Sequence, residues 1–589
     1  MEILQAVLIG LAALILAPGY FFYFDVTPKV AVVLFGTALL LVWYALSKQT
    51  RIPRVFTILA ASQLASLAVS TVLSTSPALS LTGANWRRFG LLTQAAVWLF
   101  AWTLAGHTAG RPDRVRVILR GVSLSALATA VYGIAQYIGW DPLLPAAGYH
   151  IGEGIWTIVR PPGSLGYVSY FATWLLFNVF LSTLLAHTEV SPAWRGIAYS
   201  SAAISLTAML LTGTRAAVLG LVAGALVWLF RSGFRVRRSW LTAAALACLA
   251  FAGLYLSPAG QPLRSRMRWF IEDPFGGARP TLWRDSAAMF LHRPTAGYGP
   301  EVFTAEFPHF ESPRLARAYP DFLYESPHNI FLDAAVSQGL PGLVILALLF
   351  GLALRRSTPA LGAALTAGLV AQQFTVFTLP TALITFTVAA LALSDSKPEA
   401  PRVIRWFAAA ACLPFLWAAV YLMVSDHALA LTQQALHRAD ERAAATHYAQ
   451  YQRWRLPGSG GELWYSRASL NLAQTAANPL VRFQALLQAA GAGVQATRTS
   501  EDPANAWYSM ATVYAAQNDA ANTEKSLRAA IAASPYWFKP HWTLAQVLRL
   551  EGRLPEAEAQ AALAVQCDGG KNPEVGQTLL EIHAQRKTR

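Results

Sequence analysis

Long apolar stretches, parted by short polar or basic connectors, recur from Ile3 to about Val424. A bilayer core of about 30 Å needs roughly 20 apolar residues per crossing helix, and backbone amides in lipid must bond within their own segment. The chain is therefore expected to be an all-α, polytopic membrane helical bundle. A composition of 55% hydrophobic against 13% charged residues excludes an ordinary soluble globule. The expected spans are 3–22, 29–46, 55–73, 89–106, 117–137, 167–187, 196–212, 216–230, 240–257, 328–353, 359–379, 381–394 and 405–424, about 13 in all. The first has no basic residue before it and no small-residue cleavage site, so it reads as a retained helix. Pro380 divides 359–394 into two.

Charge fixes the orientation. Lys48, Arg51 and Arg54, then Arg111, Arg114 and Arg116, Arg231, Arg235, Arg237 and Arg238, Arg355 and Arg356, and Arg402 and Arg405 all fall on one side of this topology. By the positive-inside rule that side is cytoplasmic, which puts the N-terminus inside and everything after Val424 outside. The opposite face carries 74–88, 138–166 and the long loop 258–327. That loop holds eight arginines and eight acidic residues, enough for a small extracytoplasmic domain. The net charge of +15 is dispersed over several loops, so anionic lipid or phosphate fits it better than nucleic acid.

Beyond Ser425 the composition becomes alanine-rich and polar with helical periodicity. Trp507, Tyr508, Met510, Ala511 and Tyr514 are echoed 34 residues later by His541, Trp542, Leu544, Ala545 and Leu548. That period resembles tetratricopeptide helix pairs and predicts a helical repeat domain over 425–589, after a transmembrane domain over 1–424. Such a unit serves either as a docking surface for a partner or as a solvated cap on the membrane part.

Several chemistries are excluded. Cys248, Cys412 and Cys567 form no disulfide or zinc spacing, and the chain has no nucleotide-binding glycine loop, no GxSxG and no His-Glu-x-x-His. No cofactor and no obligate metal are indicated. Arginines in apolar surroundings carry more information. Arg215 lies in Thr212-Gly-Thr-Arg215 where two apolar runs meet, Arg160 precedes Pro161-Pro-Gly-Ser-Leu-Gly166, and Arg284 lies in Trp283-Arg284-Asp285 ahead of the turn Gly297-Tyr298-Gly299. Intramembrane guanidinium groups tend to be functional, and their planar fork suits a pyrophosphate. A snorkelling arginine at the headgroups is the plainer account of Arg215. His328, in Ser326-Pro-His328-Asn329-Ile-Phe-Leu-Asp333, can serve as a general base or as a residue at a helix start. Glu301, Glu325, Asn329 and Asp333 are its candidate orienting groups or caps.

These motifs, with Gly339-Leu-Pro-Gly342 after them, resemble in order and spacing the O-antigen ligase and polymerase superfamily of bacterial membrane glycosyltransferases over residues 50–395. The resemblance implies a GT-C-like bundle that hands a glycan from undecaprenyl pyrophosphate to a periplasmic acceptor, with inversion and without a nucleotide sugar. It makes His328 the base, with Arg215 and Arg284 catalytic on the pyrophosphate and Arg160 assisting. Tyr298, Glu301 and Asn329 are the further substrate-binding candidates. The implied partners are the lipid-linked donor, a glycolipid or protein acceptor, and membrane lipids of a bacterial inner membrane.

The repeat region departs from simple ligases and leaves the acceptor open among lipid A core, a growing glycan and a protein. A transporter or assembly scaffold is the non-enzyme alternative.

Overall fold

The computed structural model describes residues 1–47, 52–145, 148–151, 158–233, 249, 252–253, 255–260, 264, 277–394, 410–458, 460–499 and 501–588. The protein is an all-α polytopic bundle. Its helices are α1 (Glu2–Leu14), α2 (Thr27–Leu46), α3 (Arg54–Val72), α4 (Pro77–Thr82), α5 (Leu91–Thr108), α6 (Pro112–Tyr137), α7 (Val168–Thr188), α8 (Pro192–Leu211) and α9 (Arg215–Arg231), followed by α10 (Arg279–His292), α11 (Ile330–Arg356), α12 (Pro359–Ala371), α13 (Leu379–Leu393) and α14 (Cys412–His437). Six of these are long and apolar enough to cross a membrane, and α1, α12 and α13 are shorter apolar helices. The expected span 240–257 lies mostly outside the described residues, and Lys48, Arg51, Arg235, Arg237, Arg238, Arg266, Arg268, Arg402 and Arg405 lie outside them.

Specific contacts define the two ends. At the end bearing the basic connectors, His107 Nε2 of α5 lies 2.7 Å from Glu2 Oε2 of α1. There too Arg120 of α6 donates twice to Glu189 at 2.8 Å, and Arg231 of α9 donates to Ser357 Oγ after α11 at 2.8 Å. At the other end Lys29 of α2 donates to the Ser164 carbonyl at 2.6 Å, Ser164 Oγ donates to the Ala13 carbonyl at 2.6 Å, and Gln136 of α6 accepts from Gly163 N at 2.9 Å. The helices therefore alternate in direction as the charge pattern requires. The core between the ends is aromatic, with Trp98, Phe100, Phe171, Trp174, Phe177 and Phe350 fully buried. Every residue of α13 is buried, so that helix is a strut surrounded by protein rather than by lipid.

Three helix C-termini fall well away from their expected positions. The first ends at Leu14 instead of Phe22, because Pro18 and Gly19 (φ +78°) turn the chain. The freed carbonyls of Gly19 and Tyr20 meet Gln434 Nε2 and His427 Nδ1 of α14, each at 2.8 Å. α12 stops at Ala371, since the Gln372 carbonyl accepts from Ile330 N at 3.2 Å and Thr378 opens a capping box for α13. α14 continues unbroken to His437, across the boundary expected at Val424.

α11 is broken inside. Gly339 is non-helical (φ +69°, ψ −160°) and Pro341 offers no amide, so carbonyls in the preceding turn lose their helical partners. The turn segment 294–299 supplies replacements: Tyr298 N donates to Val336 O and Gly299 N to Ser337 O, both at 2.9 Å, while Leu340 N donates to Pro294 O at 2.7 Å. This staple requires bare backbone. A Cβ on Gly297 (φ +68°) would sit 2.5 Å from Ser337 C, and one on Gly339 would sit 2.6 Å from Pro294 O. Gly297→Ala is expected to cost more than about 2 kcal/mol in thermal unfolding, from left-handed strain plus backbone collision. A wild-type melting temperature for that variant would mean the staple is not rigid.

After α14 come α15 (Glu441–Trp454), α16 (Glu462–Thr475), α17 (Pro479–Thr499), α18 (Pro503–Ala516), α19 (Ala520–Ala533), α20 (Phe538–Leu550), α21 (Leu554–Asp568) and α22 (Pro573–Thr588). They pack as successive pairs, α14 with α15, α16 with α17, α18 with α19 and α20 with α21, and α22 covers the last pair. Asp440, Asp502 and Asp519 cap three of them through amides three residues on, at 3.0–3.1 Å. Ala511 and Ala545, residues of the 34-residue echo, share one core with Leu527 and Ala561. This stack holds the connector before α5: Thr82 Oγ1 donates to Pro457 O at 2.6 Å, Asn85 Nδ2 to Gly460 O at 2.8 Å, and Asn85 N to Glu501 Oε2 at 2.7 Å.

Candidate functional site

The connector held by the stack delivers Arg87 to the centre of the non-basic end. Arg87 is 5% exposed. Its Nε donates to Glu301, its Nη1 donates to Asp333 Oδ2 at 3.2 Å, and the same nitrogen reaches the Phe377 carbonyl at 3.4 Å. Glu301 is equally buried and also accepts from Ala84 N at 3.0 Å. Burial opposes the charge of Arg87, but the Asp333 and Glu301 carboxylates outweigh it and raise the pKa of the guanidinium. Burial raises the Glu301 carboxyl, with Arg87 pulling the other way.

His328 stands beside this pair, immediately before α11. Its amide donates to Ser326 Oγ at 3.1 Å, and no described residue hydrogen-bonds its ring. Desolvation, followed by the charges of Arg279 and Arg87, pushes its imidazole down to about 4. The ring is therefore neutral at physiological pH and able to accept a proton. Five described residues other than glycine have positive φ, and three of them, Arg88 (+51°), Glu301 (+68°) and His328 (+52°), surround Arg87. Such strain persists where the surroundings over-determine it, as they do at functional sites.

The other sequence candidates lie at varied distances from this centre. Arg215 is the first residue of α9, half-buried. α9 runs antiparallel to α12, with Gly220 against Ala367 and Gly224 against Ala363. Arg215 therefore stands level with Gln372, whose carbonyl holds Ile330 two residues from His328. Arg160 is half-buried near Tyr167, its Nε without a partner among the described residues; burial lowers its pKa, and Tyr167 opposes this. Arg284 points away: it donates to Asp285 Oδ1 at 2.8 and 3.0 Å and to Ser312 Oγ at 2.8 Å, and its side chain is 57% exposed. Its neighbour Trp283 instead ties α10 to the histidine loop by donating to Pro327 O at 3.1 Å. Tyr298 is buried with its hydroxyl 3.0 Å from His292 Nδ1, and Arg293 lies 4.8 Å from its ring. Asn329 caps α11, its Oδ1 accepting from Phe331 N and Leu332 N at 3.0 and 3.1 Å.

Sequence reading missed Arg87, Arg279 and Lys29. Lys29 is buried, and it lines a cavity of about 40 Å³ together with Arg87, Asp25 and Tyr170. Two cations thus face one small space, with a third, Arg279, acting on His328. Among the described residues no cluster of His, Cys, Asp and Glu is built to hold a metal ion.

Fold and site together define an all-α polytopic membrane protein with His328 and the Arg87–Glu301–Asp333 ion-pair group at the end opposite its basic connectors. Residues 200–347 match the family described as O-antigen ligase. The matched segment runs from α8 into α11 and contains Arg215, Arg279, Arg284, Glu301 and His328. No curated protein matches the chain.

Proposed function

We propose that the protein is a glycosyltransferase of the O-antigen ligase type that moves a glycan from undecaprenyl pyrophosphate to an acceptor such as lipid A core, at the extracytoplasmic face of a bacterial inner membrane. The observation that carries this reading is a desolvated, neutral imidazole beside Arg87 and Arg279, on the end where α2, α5, α7, α9 and α11 begin. His328 takes the proton from the acceptor hydroxyl as its oxygen attacks the anomeric carbon. The C–O bond to pyrophosphate breaks, and the arginines hold the charge that develops on the leaving group. Pyrophosphate is already a competent leaving group, so positioning and electrostatics supply much of the rate. Arg215 stands at the same level as His328 and fits the pyrophosphate role. Arg284 acts there only after leaving Asp285. Residues 425–589 form a tetratricopeptide-like unit on the same side, and through its grip on Asn85 it sets the position of Arg87.

The test is transfer by the purified protein from a synthetic polyprenyl-pyrophosphate glycan to a panel of acceptors. The acceptor consumed separates ligation from polymerisation and from protein O-glycosylation, and a donor that does not bind at all returns the reading to a transporter or scaffold. The pH profile gives a second check. A histidine titrating near 4 stays deprotonated above that value, so kcat/KM is expected to be flat from about pH 5.5 to 8 and to fall only below pH 5. An acid limb centred at 6.5 would show that His328 is not desolvated or is not the base.

A further inference from the structure

A second concavity, of about 350 Å³, opens between the loop residues Phe307–Tyr324 and the helix stack. That volume is in the range of small-ligand sites. Its two walls carry aromatic faces. Tyr319 and Phe322 on the loop side are 38% and 56% exposed, and on the stack side Tyr508 and Trp537 meet edge to face at 5.0 Å. Polar groups stand between the rings. Arg467 Nη2 donates to Asn505 Oδ1 at 2.9 Å, and Asp321 bridges the walls by accepting from Trp537 Nε1 at 3.1 Å and from Lys539 Nζ at 2.6 Å. The cations Arg467 and Lys539 stand against the carboxylates of Asp321 and Asp502, and burial pushes the third acid of the lining, Glu311, up to about 7, so the cleft carries little net charge.

We infer that this cleft binds a neutral saccharide chain. A sugar ring offers a face of C–H bonds that lies on an aromatic ring, and its equatorial hydroxyls bond carboxylate, amide and guanidinium groups of the kind set here between the rings. Exposed Tyr319 and Phe322 and half-buried Tyr508 and Trp537, interleaved with Asp, Asn, Arg and Lys, meet both needs. An extended peptide would need an open strand edge or an apolar groove, and the walls are helices and turns. The cleft also lies near the site: Tyr324 on its wall is four residues from His328, at most about 14 Å of extended chain. The choice of a saccharide rests in part on the glycosyltransferase reading, and it gives the helix stack a role in holding the glycan whose end reacts at His328.

The experiment is saturation-transfer NMR on the full-length protein in nanodiscs with linear gluco-, galacto- and rhamno-oligosaccharides of two to five residues. Saturable binding is expected, weakened at least tenfold by Trp537→Ala and by Phe322→Ala and unchanged by His328→Ala. Phe322 is exposed, so its variant keeps the fold if Trp537→Ala does not. The inference is overturned if no oligosaccharide binds the wild type, if both cleft variants bind normally, if His328→Ala abolishes binding, or if only peptides bind in a Phe322-dependent way. Binding without transfer would retain the cleft and remove the glycosyltransferase reading; transfer with cleft variants indistinguishable from wild type at every glycan length would do the reverse. In the transfer assay, a Phe322→Ala effect confined to the KM of the lipid-linked donor assigns the cleft to the donor glycan, and one confined to the acceptor KM assigns it to the acceptor.

Discussion

Replacing Arg87 with alanine is expected to destabilise the protein by about 3–5 kcal/mol and to abolish transfer, because it strands a buried carboxylate. Glu301 keeps only the Ala84 amide as a neutral donor once the guanidinium is gone, and Asp333 loses its charged partner as well. Arg87→Lys is not a conservative remedy, since one ammonium cannot reproduce the fork that reaches Glu301, Asp333 and the Phe377 carbonyl together. The double variant Arg87→Met/Glu301→Met removes the pair as a unit and should recover most of the lost stability, because well-packed apolar groups commonly replace a buried ion pair at little cost. It should not recover activity. Thermal unfolding in detergent and the transfer assay, read side by side, separate these effects. If Arg87→Ala melts with the wild type, the ion pair is dispensable to the fold.

His328→Ala carries the second large effect. A general base contributes roughly 10²- to 10⁴-fold, so transfer should fall by that factor while donor binding, which falls to the arginines, stays within about twofold. The backbone sharpens the test. At φ +52° a non-glycine residue bears strain on the order of 1 kcal/mol, so His328→Gly should be at least as stable as His328→Ala and equally inactive. Loss of donor binding in both variants would make His328 a binding residue rather than a base.

The alternation of the helices was legible from the sequence because it is written in apolar length and in the side on which arginines fall. Helix limits were less so. Pro18 and Gly19 end α1 inside an apolar run, and no hydropathy signal says that α14 will satisfy their carbonyls. Arg215 stood out as a charged group where two apolar runs meet, and His328 as a titratable group at the mouth of one. Arg87 was not, because 74–88 reads as a short connector, yet Arg87 and Arg88 on the end opposite the basic connectors carried the same warning as Arg215. Lys29 gave a similar signal as the single cation opening an apolar span. Tyr298 and Asn329 were picked up by motif. Their contacts, a ring packed under Arg293 and a helix cap, depend on tertiary partners that no linear spacing records.

The break in α11 bears on how this protein lives in a membrane that changes thickness. Below Gly339 the helix runs on to Arg356 and must tilt or bend as the lipid around it thins or swells. Above it, the two turns that begin at Ile330 are fastened to 294–299 and travel with that segment instead. The residue that ends up insulated is His328. Bilayer strain is expected to be taken up at the joint, leaving the spacing between imidazole and guanidinium the same in thin and thick bilayers.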